Sequence, residues 1–421
     1  MFIGNEKHLT ITLRPHQVRA LDALKRHDMG QVIVPTGGGK TMVMIQDAIR
    51  SLQSGAQTIV VVAPRILLAN QLCEEFMEQI DSKSVHVYHC HSGETHYASG
   101  TKTNKLALFV NTARAAGESA IVFTTYHSLG RVVDSGSGID CAYFDEAHNS
   151  VKRSFFVSTF AVSQVALRTY YFTATPRVAR HQRGMNNTEV YGQIIANVPA
   201  PELINSGSII PPTIVPFERD IERSKKMSWD EDSATVLGVI DNLTDTNSQK
   251  VLVAVPSSKI LGNMIAKTSL MHGLKERGYD VLHVTSKFGA FVNDKKVNRE
   301  EFFNTLTAWG LEDDRKFVIF HYSILSEGIN VPGLTHTILL RQLQTVEMAQ
   351  TIGRVIRLHK DDAAAIKNGE VIPGKLDMYR KPTGYVTVPT YKNYGKHIAQ
   401  RLQNVVDAIF VKGVHPESLV A

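Results

Sequence analysis

A chain of 421 residues, 43% hydrophobic and 20% charged, is too long for one ordinary core and has the balance of a globular protein with two domains. Its net charge of +6 is compatible with a polyanionic partner without requiring one. Three cysteines, Cys73, Cys90 and Cys141, show neither C-x-x-C nor zinc spacing, and no apolar run reaches bilayer length, which excludes disulfide scaffolds, zinc modules and membrane spans.

The first residues lack a signal layout, so a cytoplasmic setting is expected, that of the host if the source is viral. In chain order, continuously apolar strands are predicted over 31–34, 58–63, 120–124, 141–145 and 170–173, with helices over 41–52, 67–80 and 126–132. Continuous rather than alternating apolar runs suit a parallel sheet covered on both faces. The polar stretch 91–104 reads as a surface loop. Prolines and then charges over 199–232 mark a domain boundary. A second series follows, with strands over 251–255, 281–285, 317–321 and 335–340 and helices over 259–277, 299–309 and 345–358. One strand (385–388) and one helix (396–410) remain in the tail. Alternating strand and helix in both halves predicts two doubly wound α/β domains.

Between the first strand and the first helix lies Pro35-Thr36-Gly37-Gly38-Gly39-Lys40-Thr41. A strand, a glycine loop and a helix opening on Lys-Thr make a phosphate-binding loop. The glycines let backbone N–H groups turn inward around phosphate oxygens, and the helix N-terminus adds its positive end. Lys40 is then expected on the β- and γ-phosphates of ATP and Thr41 on Mg²⁺. Val34 stands where the general pattern has its first glycine. Further on, Tyr143-Phe144-Asp145-Glu146-Ala147-His148 places adjacent carboxylates at the C-terminal end of an apolar strand, where open parallel sheets bind ligands. Asp145 would share the Mg²⁺ with Thr41, and Glu146 would position and deprotonate the attacking water. In the second half, Gln350, Arg354 and Arg357 fall at i, i+4 and i+7 on one helical face, with Gly353 beside them. Both arginines are expected to reach across a cleft to the γ-phosphate.

Asp145-Glu146-Ala147-His148 resembles the signature of DEAH-type superfamily 2 helicases, and other motifs follow in that family's order over residues 10–360. Leu13-Arg14-Pro15-His16-Gln17 resembles the adenine-reading segment, which implies that Gln17 bonds the adenine edge with Arg14 beside it. Ala63-Pro64-Arg65 and Thr124-Thr125-Tyr126 resemble strand-contacting motifs. Phe172-Thr173-Ala174-Thr175-Pro176 resembles the segment coupling nucleotide state to strand binding, so His148, Thr173 and Thr175 are implied as coupling residues. Val255-Pro256-Ser257-Ser258, Leu325-Ser326-Glu327-Gly328-Ile329-Asn330-Val331-Pro332 and the segment from Gln350 to Arg357 resemble the later motifs. The resemblance implies nucleotide contacts at Gly328 and Asn330. Family members usually have aspartate where Asn330 stands, which predicts a modest effect on nucleotide affinity.

Candidate nucleic-acid contacts are Pro64, Arg65, Thr124, Thr125 and Tyr126 in the first domain, and Ser257, Thr285, Ser286, Lys287 and Ser323 in the second. Each hydroxyl among them is equally a cap or turn residue. The tail interleaves Tyr379, Arg380, Lys381, Tyr385, Tyr391, Lys392, Tyr394 and Lys396, which suits base stacking or a solvated edge packed on the second domain.

The resemblance implies two tandem RecA-like doubly wound parallel-sheet α/β domains, 1–212 and 213–375, with an ATP cleft between them and a short extension, 376–421. Leu13 to Gln17, with Glu202, Leu203, Gly207 and Pro211, is similar to the group of restriction-enzyme motor subunits and phage UvsW-like and XPB-like helicases. The expected function is an ATP- and Mg²⁺-dependent helicase, monomeric, acting on DNA in preference to RNA. Branched or forked substrates in repair, recombination or replication, with protein partners from those processes, are implied, and no membrane is. An RNA helicase, a double-stranded DNA translocase that never unwinds, and a nucleic-acid-binding module with a vestigial ATPase stay open as alternatives. Intact Lys40, Thr41, Asp145, Glu146 and both arginines speak against the last.

Overall fold

A computed structural model describes residues 12–80, 85–243, 249–285, 287–322, 331–343 and 345–414, the side chains of 345 and 346 excepted. Two eight-stranded sheets form the frame. The first contains β1 (Met29–Ile33), β2 (Thr58–Ala63), β3 (Val85–Cys90), β4 (Ala98–Ser99), β5 (Ser119–Thr125), β6 (Ile139–Phe144), β7 (Ala166–Thr173) and β8 (Ile194–Asn197), in the order β4-β3-β5-β2-β6-β7-β1-β8. Every pairing in it is parallel. Its central strands are buried on both faces, which is why β2 reads Thr-Ile-Val-Val-Val-Ala without alternation. β7 lies between β1 and β6, so the loops after β1, β7 and β6 emerge side by side at one edge.

The second sheet contains β9 (Pro212–Arg219), β10 (Lys250–Ala254), β11 (Asp280–Thr285), β12 (Gly289–Val292), β13 (Lys295–Val297), β14 (Phe317–His321), β15 (His336–Leu339) and β16 (Gly384–Tyr391), in the order β13-β12-β11-β14-β10-β15-β16-β9. It is parallel apart from its edge, where β12 pairs antiparallel with β11 and β13 antiparallel with β12. The doubly wound α/β frame expected from the sequence is present, with this hairpin as an added edge.

The proline-rich and charged stretch 199–232 is structured. Pro212 and Pro216 sit in the edge strand β9, where a missing N–H can face outward. Asp230, Glu231 and Asp232 occupy the first turn of the helix Trp229–Asp241, favourable at the positive end of its dipole. Residues 376–421, set apart in the sequence as an extension, supply β16, which lies inside the sheet between β15 and β9. The stretch 91–104 includes β4 and the start of the helix Thr103–Ala115. The expected helix over 259–277 is interrupted. Thr268 turns extended, its hydroxyl donates to the Met264 carbonyl and accepts from the Leu270 N–H, and a second helix, Leu270–Glu276, begins there. Similarly, the helix Lys396–Val406 stops short of 410 and continues as a wider turn, Asp407–Val411.

One apolar cluster runs through both halves, from Val32 and Val43 through Leu203, Ile209 and Ile210 to Met348, Ile352 and Phe410. That continuity seats the second sheet's helix Thr345–Val355 against the loop after β1. Among the described residues no helix is long and apolar enough to cross a membrane.

Candidate active site between the two sheets

The loop after β1 is shaped by its glycines. Gly37 (φ 86°) and Gly39 (φ 80°) are left-handed, a region costly for other residues. A Cβ on Gly38 would come 2.4 Å from Val34 Cγ1, so Val34, at the position of the missing first glycine, packs beneath the loop instead of obstructing it. Two side chains of the preceding segment hold the loop from the other side. His16 Nε2 donates to the Gly38 carbonyl (2.8 Å), and the Gln17 amide donates to the Gly39 carbonyl (3.3 Å) while accepting from the Arg14 N–H (2.9 Å). Gln17, expected on an adenine edge, is in this structure a buried brace of the loop. His16 belongs to the same sequence segment, which gave it no role of its own, because its partner is a main-chain carbonyl 22 residues on.

Gly39 leads into the helix Lys40–Leu52, whose N-terminus opens on a cavity of about 500 Å³. Thr36, Lys40, Thr41, Asp145 and Glu146 line it from the first half, and Gln350, Arg354 and Arg357 from the second. Lys40 Nζ lies 3.9 Å from Glu146 Oε1 and donates to the Val34 carbonyl at 3.5 Å. Glu146 holds a left-handed backbone (φ 45°, ψ 53°), one of the strained non-glycine positions among the described residues. Burial, followed by the charge of Glu146, pushes the Asp145 carboxyl up to about 7. Burial works against Glu146 as well, but Lys40, His148, Arg354 and Arg357 outweigh it and hold Glu146 below the usual carboxylate range. The second-half arginines therefore act electrostatically on a first-half carboxylate. Burial lowers Arg357, opposed by Glu75 and Glu146.

The two halves touch at defined atoms. A Cβ on Gly353 would come 2.8 Å from Thr36 Cβ, so the helix carrying the arginines lies directly on the glycine loop. Gln350 Nε2 is 3.1 Å from His148 Nε2. The Asn149 amide also faces that nitrogen (3.2 Å), and the other ring nitrogen, Nδ1, lies 3.0 Å from Thr173 Oγ1. Thr173 Oγ1 accepts from the Thr175 N–H (3.1 Å). His148, Thr173, Thr175 and Gln350 thus form one chain of contacts across the cleft.

The strand-contact candidates divide. Thr124 donates to the Cys90 carbonyl (2.9 Å) and is buried, as is Thr125. Tyr126 is fully buried and donates to the Asp145 carbonyl (2.8 Å), so it braces the carboxylate pair rather than facing a groove. Pro64 is buried, and Arg65 begins the helix Ile66–Met77. Ser257 caps the helix Ser258–Lys267 by accepting from the Ile260 N–H, and Thr285 accepts from the Phe288 N–H. Lys287 is exposed. Ser286, Ser323, Gly328 and Asn330 lie outside the described residues.

Lys381, grouped by sequence with a surface tail, is buried. Its ammonium donates to the carbonyls of Leu334 (2.7 Å), Val355 (2.7 Å) and Arg357 (2.9 Å), pinning the end of the arginine-bearing helix. No pattern in sequence marks such a residue, because its partners are main-chain atoms far along the chain. Lys381→Met is expected to lower stability by about 1–3 kcal/mol, since buried carbonyls lose their donor. Urea unfolding of the variant beside the unaltered chain checks this.

Two family models match the chain: the type III restriction enzyme res subunit over residues 10–178, and the helicase conserved C-terminal domain over residues 235–359. No curated protein matches it. Among solved structures it is similar to the type ISP restriction-modification enzyme LlaBIII bound to DNA (TM-score 0.68, 14% identity, 96% of this chain and 30% of that one). Another is Mss116p bound to single-stranded RNA and AMP-PNP (0.60, 13%, 94% and 73%). A third is a fragment of a type I restriction enzyme HsdR subunit from Vibrio vulnificus (0.54, 15%, 89% and 68%). The chain spans about 30% of the length of the type ISP enzymes.

Proposed function

We propose that this chain, which belongs to the superfamily 2 helicases and is related to restriction-enzyme motor subunits, hydrolyses ATP between its two sheets to move along or separate DNA strands. The observation that carries the reading is the meeting of Lys40, Asp145 and Glu146 with Arg354 and Arg357 around one cavity, from opposite halves of the chain. A cavity of about 500 Å³ with a glycine cradle, a helix N-terminus and four basic side chains, Arg14, Lys40, Arg354 and Arg357, fits a nucleoside triphosphate. In this reading the loop amides and Lys40 hold the phosphates, and Glu146 orients and deprotonates water. Arg354 and Arg357 meet the charge that develops on the transferred phosphoryl group. Thr41 and Asp145 would hold Mg²⁺, which when bound neutralises charge on the phosphate oxygens. Because the arginines belong to the second half, hydrolysis follows cleft closure. The contacts from Gln350 through His148 to Thr173 and Thr175 give closure a route to the strand side.

The match to a restriction-enzyme subunit over residues 10–178 supports DNA over RNA. Branched or forked DNA in repair, recombination or replication is the proposed setting. Steady-state hydrolysis with single-stranded, duplex and forked DNA and matched RNAs, at stated salt, tests this. Strong stimulation by DNA is expected. Stimulation by RNA alone would reverse the substrate assignment, and none by either would favour a binding module.

A further inference from the structure

The second sheet carries a second cavity, of about 450 Å³, between the helix Ser258–Lys267 and the β12–β13 hairpin. We propose that this cavity receives one unstacked base of the bound nucleic-acid strand, held between Phe288 and the stacked rings of His283 and Phe291. The inference rests on the strand-binding reading above and adds a base contact to it.

The walls suit a base. His283 and Phe291 lie parallel with centroids 4.6 Å apart, and Phe288 closes the mouth, 40% exposed. Partly exposed aromatic rings at a cavity are stacking platforms once a mobile side chain such as Lys287 moves off them, and every base has a π-face to offer. Gly262 on the facing helix lets Phe288 lie close: a Cβ there would be 3.3 Å from its ring. His283 is more than nine-tenths buried and lines the cavity. Burial pulls its pKa down to about 4, so the ring is neutral at ordinary pH and presents one donor and one acceptor.

The rim also suits a strand. Lys259 lines the cavity and the exposed Lys287 holds its ammonium 5.3 Å from the Phe288 ring centroid, two cations that can meet the backbone phosphates around an inserted base. Asp294 is the acidic rim group and can accept from the exocyclic amine of adenine, cytosine or guanine. The opening adjoins the loops at Ser257 and Thr285, at the C-terminal ends of β10 and β11. A strand crossing those loops passes the cavity mouth.

The test is a single-abasic-site scan along a short single-stranded DNA, measuring dissociation constants for the full chain, Phe288→Ala and Phe288→Tyr. For the unaltered protein, one abasic position is expected to weaken binding about tenfold. Phe288→Ala should weaken binding of the intact strand by a similar factor and erase the penalty at that position alone. Phe288→Tyr, which keeps the ring, should retain it. A flat scan, or a Phe288→Ala profile parallel to that of the unaltered protein, would overturn the pocket while leaving the motor reading standing. An unaltered protein that binds no strand at all would remove both.

Discussion

Glu146→Gln is expected to reduce kcat for ATP hydrolysis by about 10²–10⁴-fold, the range for losing a positioned general base, with ATP and strand binding kept. Glutamine fills the same volume and can still hold water, but it cannot take a proton. The charged form of Glu146 is supported by Lys40 at 3.9 Å, by His148 Nδ1 at 3.5 Å from Oε2, and by both cross-cleft arginines. Of the adjacent carboxylates, Glu146 is held below the usual range while burial pushes Asp145 up. Its left-handed backbone adds to the assignment, since a strained non-glycine residue persists only where the surroundings fix it. Equilibrium nucleotide binding beside steady-state hydrolysis separates the cases. Full turnover in the variant would assign the base elsewhere. Loss of binding together with turnover would mean that the carboxylate holds the loop and Lys40 rather than the water.

Much of this cavity was legible in the sequence because its parts sit at strand ends and helix starts, where short patterns fix geometry. The glycine loop, the carboxylate pair after β6 and the i, i+4, i+7 helix each carry their placement in local order. The departures came where partners are distant or main-chain. Lys381 reads as one cation in a mixed tail, and only the fold brings three carbonyls to it. Thr124 and Tyr126 resemble groove-facing residues, but their hydroxyls are used by the Cys90 and Asp145 carbonyls. β9 was hidden by its prolines, which an edge position tolerates. The β12–β13 hairpin has short, polar-flanked strands whose pairing depends on β11. Its aromatic cavity follows from that pairing and from no motif.

Arg357→Ala should lower kcat by about 10³–10⁵-fold, the scale for removing an arginine that meets transition-state charge. ATP binding should survive, because the loop after β1, Lys40 and Thr41 belong to the other half. The position of Arg357 is fixed independently of its side chain. Ile210 N donates to the Ile356 carbonyl at 2.8 Å, Ile209 bridges to Arg357, and Lys381 holds the Arg357 carbonyl. Truncation thus removes a guanidinium without releasing the helix end, and unfolding curves are expected to stay close to those of the unaltered chain. Arg357→Lys sharpens the test. Lysine keeps the charge but loses the planar fork that can grip two phosphate oxygens, so only partial recovery is expected. Full recovery with lysine would reduce the role to bulk electrostatics. Normal hydrolysis by the alanine variant would break the link between cleft closure and chemistry. The chain would then hydrolyse ATP within its first half alone, and closure, signalled through Gln350 and His148, would report nucleotide binding instead of controlling its cleavage.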